Sequence, residues 1–184
     1  MTRRPLVLAS IIGLVLLAAT GCAAPRVTEA KLATMQTNAA AAIDDFVEED
    51  PGMQAWFDDS HGYAIFPSIG KGGIGVGGAY GTGLVYEQGD LIGTSAVSQA
   101  TIGFQLGGQS YQQAIFFEDE ASLDRFTAGN YEFAAQVSAV ALTAGASADA
   151  SFENGMAIFT MENGGLMYEA SVGGQKFSFR PVVD

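Results

Sequence analysis

Three groups of residues in this chain could do chemistry. His61, the single histidine, follows Asp58 and Asp59. One imidazole beside two carboxylates suggests a metal site, and any Ser–His–Asp relay would have to use His61. Neighbouring carboxylates give poor ligand geometry, however, and the chain has no G-x-S-x-G elbow. The plainer expectation is a partly exposed histidine at a helix-to-strand junction. Gly73, Gly75 and Gly78 fit G-x-G-x-x-G, in which glycines let backbone approach a pyrophosphate. That chemistry needs a helix opening at the last glycine, whose amides meet the phosphate. Here Tyr80-Gly81-Thr82-Gly83-Leu84-Val85-Tyr86 follows, a poor helix. Gly70-Lys71 also lacks the serine or threonine that completes a phosphate loop, so nucleotide binding is not expected. Lys71 reads as a solvated loop cation able to touch a lipid phosphate. The third group is Cys22, the single cysteine. No residue pattern implies catalysis, and neither an enzyme nor a cofactor is expected.

Cys22 takes its meaning from what precedes it. Arg3 and Arg4 lead into an apolar run from Leu6 to Ala19. A stable membrane span needs about 20 residues, so the run fits the core of a secretory signal better. Leu17-Ala18-Ala19-Thr20-Gly21-Cys22 then resembles the bacterial lipobox, with Ala19 where leucine is more usual. The alternative is a plain secreted protein with an idle cysteine. The expected organisation is a signal peptide over 1–21, a lipidated N-terminus and tether over 22–27, and a single domain over 28–184. Acyl chains such as palmitate contribute about 0.8 kcal/mol per buried CH₂, and stable anchoring takes more than one chain. Alanine at position 23 resembles a signal for outer-membrane sorting, and the tether spans only about 20 Å.

Charge limits the partners. The whole chain carries a formal charge of −12, and removing the leader with its two arginines lowers this to −14. Nucleic acid is excluded as a natural partner, because binding it requires clustered cations. Broad electrostatic adhesion to an anionic bilayer is disfavoured for the same reason. A single cysteine allows no intramolecular disulfide, so stability must come from packing.

The elements follow from periodicity. Thr28 is a cap for a helix reaching about Glu49, with Leu32, Met35, Ala39, Ile43 and Phe46 on one stripe. That stripe either packs on the core, the favoured expectation, or meets lipid. A second short helix carries Met53, Trp56 and Phe57. Tyr63–Phe66 reads as a strand closed by Pro67, with 68–72 as a loop. Strands are expected again from Gly73 to Tyr86 and over 91–98, 101–106 and 109–117, with Gly107-Gly108 as a tight turn. Asp119 caps a helix over 120–128 that Gly129 stops. Residues 131–142 read as one strand. A three-strand meander closes the chain over 156–161, 166–172 and 176–180, turning at Asn163-Gly164 and Gly173-Gly174. The resulting fold class is α+β, mainly antiparallel β. It is a strongly curved, glycine-rich meander or barrel-like sheet of about nine to ten strands with N-terminal and peripheral helices.

Four blocks carry a family resemblance: GYAIFPSIGKGGIGVGGAYGTGLVY, SQATIGFQLGGQSYQQAIFF, EDEASLDRF and MYEASVGGQKFSF. Together they resemble the SYLF domain family over roughly 53–179, and the lipobox points to its bacterial lipoprotein branch. The resemblance implies a non-catalytic lipid-binding module. Eukaryotic relatives bind phosphoinositides, and yeast-type members bind actin filaments. Lipid contact in the family involves an N-terminal amphipathic helix with basic residues nearby. This chain has the helix, but Lys31 stands nearly alone among acids, and actin is no partner for an exported bacterial protein. The expectation is an outer-membrane-anchored, periplasm-facing lipoprotein that binds phospholipid. Leu32, Met35, Ile43, Phe46, Trp56, Phe57 and Lys71 are its candidate contacts. The alternative is a structural envelope protein whose acidic surface meets a basic protein partner.

Overall fold

The computed structural model describes residues 28–103, 108–134, 138–162, 170–171 and 173–182. The leader, Cys22, the tether, Gly107 and the Asn163-Gly164 turn lie outside the described residues. Eight strands among the described residues form one mixed, mostly antiparallel sheet, curled into a half-barrel.

Its centre is β1, Gly62–Glu87. A straight strand of 26 residues would run roughly 85 Å at 3.3 Å per residue. Yet the amide of Gln88, just past its end, donates to the carbonyl of His61, just before its start, at 3.1 Å. The strand therefore folds back on itself. Its first half pairs with β3 (Gly108–Phe117), from Gly62 opposite Phe117 to Gly72 opposite Gly108. Its second half pairs with β2 (Asp90–Gly103), from Gly75 opposite Gly103 to Glu87 opposite Asp90.

The halves stack closely, and two glycines permit it. A Cβ on Gly81 would lie 2.7 Å from both Ser68 O and Ile69 Cγ1. One on Gly83 would strike the Ile65 carbonyl and come within 2.7 Å of Phe66 Cδ1. The strand expected to stop at Pro67 continues instead. Register with β3 shifts between Phe66 and Ile69, so the proline, which lacks an N–H, sits in a bulge.

The remaining strands join on either side. Towards one edge come β8 (Lys176–Pro181) on β2 and β4 (Tyr131–Glu132) on β8. Towards the other, β6 (Met156–Glu162) pairs with β3, β5 (Ser138–Ala141) runs parallel to β6, and β7 (Ala170–Ser171) pairs with β5. Two expectations are corrected here. Residues 131–142 supply β4 and β5, which lie on opposite flanks of the sheet. Strands β6, β7 and β8 are not mutual neighbours, so they form no meander. Turn chemistry fixes where the chain reverses; it does not choose a strand's partner.

Alternation along the strands builds two cores. In β3, Tyr111, Ile115 and Phe117 point inside the curl, where they meet Phe66, Val85, Val97, Phe133 and Phe177. Ala114 and Phe116 point outward to a second cluster under two helices. These are α1 (Glu29–Glu49) and α2 (Met53–Asp59). A third helix, α3 (Glu120–Thr127), starts at a capping box. The Asp119 carboxylate accepts the Ser122 amide at 2.8 Å, and Leu123 and Phe126 enter the inner cluster.

Candidate functional site

The sequence candidates divide sharply. Thr28 Oγ1 accepts the Lys31 amide at 3.4 Å and starts α1, whose Ala39, Ala42 and Phe46 are buried. Phe46 is 0 % exposed. It meets Phe57 edge-on at 6.4 Å, and Phe57 in turn meets Phe116 at 4.9 Å and Tyr63 at 5.1 Å. Trp56 lies 5.0–5.6 Å from Phe116, Phe152 and Phe159, and its indole N–H donates to Ser147 O at 3.3 Å. Leu32, Met35 and Ile43 are half-buried against the same cluster. The six apolar candidates thus share one interior seam between helices and sheet. Lys71 stands apart in β1, opposite Gln109, on a strand and not on a loop.

Polar contacts lock this cover in place. Gln112 Nε2 donates to Asp45 Oδ2 at 2.7 Å, joining β3 to α1. At the corner between α1 and α2, buried Asp50 accepts amides from Gly52 at 3.0 Å and Ser147 at 2.8 Å. The Ser147 amide leads the effects that hold the Asp50 carboxyl below the usual carboxylate range. His61 Nε2 faces Glu87 Oε1 at 3.1 Å, tying the two ends of β1 together. Among the described residues, no cluster of metal-ligating side chains forms around it.

Inside the curl the structure reveals a buried polar brace that residue-pattern reasoning missed. Gln113 and Gln175, each 0 % exposed, exchange amide hydrogen bonds at 3.0 Å in both directions. Gln175 Nε2 also donates to the Tyr111 hydroxyl at 2.9 Å. Burial pushes the Tyr111 phenol up to about 12, so the brace contains no group that titrates near neutrality. Thr160, paired across the strands with Gln113, buries its hydroxyl without a hydrogen-bond partner among the described residues. The available signal was Gln112-Gln113 set between Tyr111 and the apolar run 114–117 of β3. Its partner lies 62 residues away, and nothing local points to it.

Among the described residues the sheet does not close. Between β4 on one flank and β5 with the start of β6 on the other lies a cleft of about 460 Å³. Tyr131, Phe133, Val140, Met156 and Ile158 give it apolar walls. Glu132, Asp149 and Glu153 supply its charged groups, and no lysine or arginine is among the described lining residues.

A curled, mostly antiparallel half-barrel, covered by helices on its back and open along one seam among the described residues, defines an α+β domain of the half-barrel class. A family model described as "Ysc84: Las17-binding protein actin regulator" matches residues 98–183. The chain is also 31 % identical over 150 residues to beta cell expansion factor A of Aeromonas veronii. That alignment covers 81 % of this chain and 57 % of the relative, so the chain spans little more than half of that protein's length. The chain belongs to the SYLF domain family, the family of that Ysc84 model.

Proposed function

We propose that this protein is an outer-membrane-anchored, periplasm-facing lipoprotein whose SYLF domain binds phospholipid without catalysis. The observation that carries the reading is family membership in a chain whose Cys22 follows a lipobox-like sequence. Acylation of Cys22 would hold the domain at the bilayer. Weak intrinsic lipid affinity would then suffice, because tethering raises the local concentration. The buried state of Phe46 narrows the contact surface. On α1 the half-buried Leu32, Met35 and Ile43 remain the accessible apolar candidates, and contact through Phe46 would require the helix to leave the sheet.

Cosedimentation of residues 23–184, which contain every described element, with neutral and anionic phospholipid vesicles tests the lipid reading. Failure to bind either would sink it. Mass spectrometry of the native N-terminus tests the anchor separately, with a diacylglyceryl-modified Cys22 as the expected result. An unmodified Cys22 would remove both the anchor and the location. The second reading, a structural envelope protein engaging a basic partner, is favoured by the formal charge of −12. Crosslinking in intact cells would then yield one dominant protein adduct.

A further inference from the structure

The open seam has two properties that belong together. The first is a strand edge that no described strand pairs. Phe133 turns both backbone groups towards β8, its N–H donating to Gln175 O at 3.0 Å and its C=O accepting from Gly174 N at 3.1 Å. Backbone direction alternates along a strand, so the N–H and C=O of Glu132 point the other way, into the cleft. No strand lies beyond β4 among the described residues. The second property is charge: Glu132, Asp149 and Glu153 line the cleft, while its apolar walls come from both clusters, Phe133, Met156 and Ile158 from the inner and Val140 and Ala157 from the outer. Lys176 offsets Glu132 at 3.4 Å, and Arg125 stands at the rim, donating to Asn154 O at 2.8 Å, while Asp149 and Glu153 form no ion pair among the described residues.

We propose that the seam is a docking site for an extended peptide segment with alternating apolar and basic residues, added to the sheet along β4. Hydrogen bonds to the Glu132 backbone would set its register. Apolar side chains on one face would enter between Phe133 and Ile158, and lysines or arginines on the other would face Asp149 and Glu153. Charge complementarity selects a basic occupant. The free ladder edge selects a peptide over an alkyl chain, which has nothing to offer those groups. The cleft volume lies within the roughly 300–1,000 Å³ usual for binding sites. This inference does not rest on the lipid reading, because vesicle binding and peptide binding can fail independently.

The probe is a fluorescein-labelled, end-blocked Lys-Val-Lys-Val-Lys-Val-Lys peptide, titrated into the full mature protein and followed by fluorescence anisotropy. Saturable binding is expected. It should weaken by about tenfold or more in the Asp149→Asn/Glu153→Gln double variant. Both side chains are exposed, so the fold should survive, as circular dichroism would verify. A peptide of the same sequence, N-methylated at alternate residues along its pairing edge, should lose binding by a similar factor against the unaltered protein. Equal binding of the methylated peptide would overturn strand addition, and equal binding to the double variant would overturn the charge argument. Dodecylammonium binding in the cleft with no peptide binding would assign the site to a lipid-like amphiphile instead, and would likewise overturn the proposal.

Discussion

The domain's two hydrophobic clusters use similar side chains to different ends. The outer one, between α1, α2 and the sheet, is an aromatic stack of Phe46, Trp56, Phe57, Phe116 and Phe159. The inner one places its phenylalanines around a braced pair of glutamines and opens at the seam between β4 and β6. A sealed apolar cluster contributes mainly stability. A core with satisfied polar groups fixes one arrangement of strands, because any slip leaves buried amides unpaired. The difference assigns stability to the back of the half-barrel, and register and access to its inside.

The largest test breaks the element that both clusters share. Gly83→Val would drive a branched side chain into the Ile65 carbonyl and the Phe66 ring, and the halves of β1 could not stack. A loss beyond about 4 kcal/mol is expected, enough to prevent folding of a marginal domain. Retention of native circular dichroism and a normal melting temperature would refute the fold-back. Next comes Phe116→Ala in the outer cluster, expected to cost about 3–5 kcal/mol in urea unfolding, with the mutant cooperative but weaker. Gln175→Ala in the inner cluster strips the Gln113 carboxamide of both its partners and should cost a comparable amount, about 1–3 kcal/mol for each buried group left unpaired. Replacing both Gln113 and Gln175 with leucine should recover part of that loss by removing two buried amides together. If the single and double variants lose stability equally, the brace carries no special role.

The smallest effect concerns pH. Because folding holds the Asp50 carboxyl below its ordinary range, its contribution is complete above about pH 4 and is lost as pH falls through the lowered value. Asp50→Asn should therefore be less stable than the parent at pH 7, with the gap narrowing as both are acidified. A constant gap in urea midpoints from pH 7 to pH 3 would show that the carboxylate charge is not what the Ser147 and Gly52 amides hold.

Local chemistry was legible in the sequence. Thr28, Asp119 and Gly129 marked helix ends because caps and left-handed stops are local, and the α1 stripe reported its buried face. The strand glycines were recognisable because no helix could follow them. Long-range geometry was not legible. Pro67 looked like a terminator because a proline carries the same local signal whether it ends a strand or occupies a bulge. Residues 131–142 looked like one strand because alternation says nothing about which flank receives each half. Periodicity gathers Leu32, Met35, Ile43, Phe46, Trp56 and Phe57 as apolar positions, and the structure sets them against one cluster. Periodicity cannot tell which of them the sheet buries completely. The seam was invisible, because an open edge is a property of pairing and not of residue type.

In the strand order, β1 has three strands on one side ending at β4 and four on the other ending with β5 and β7. Its bend is thus the spine of the molecule, and the seam is the opposite margin. With two half-sheets joined covalently along one folded strand, neither can slide past the other. Each flank is built outward from that bend, strand by strand. Gly81 and Gly83, which let the halves of β1 approach, therefore lie at the base of both flanks whose far margins border the cleft.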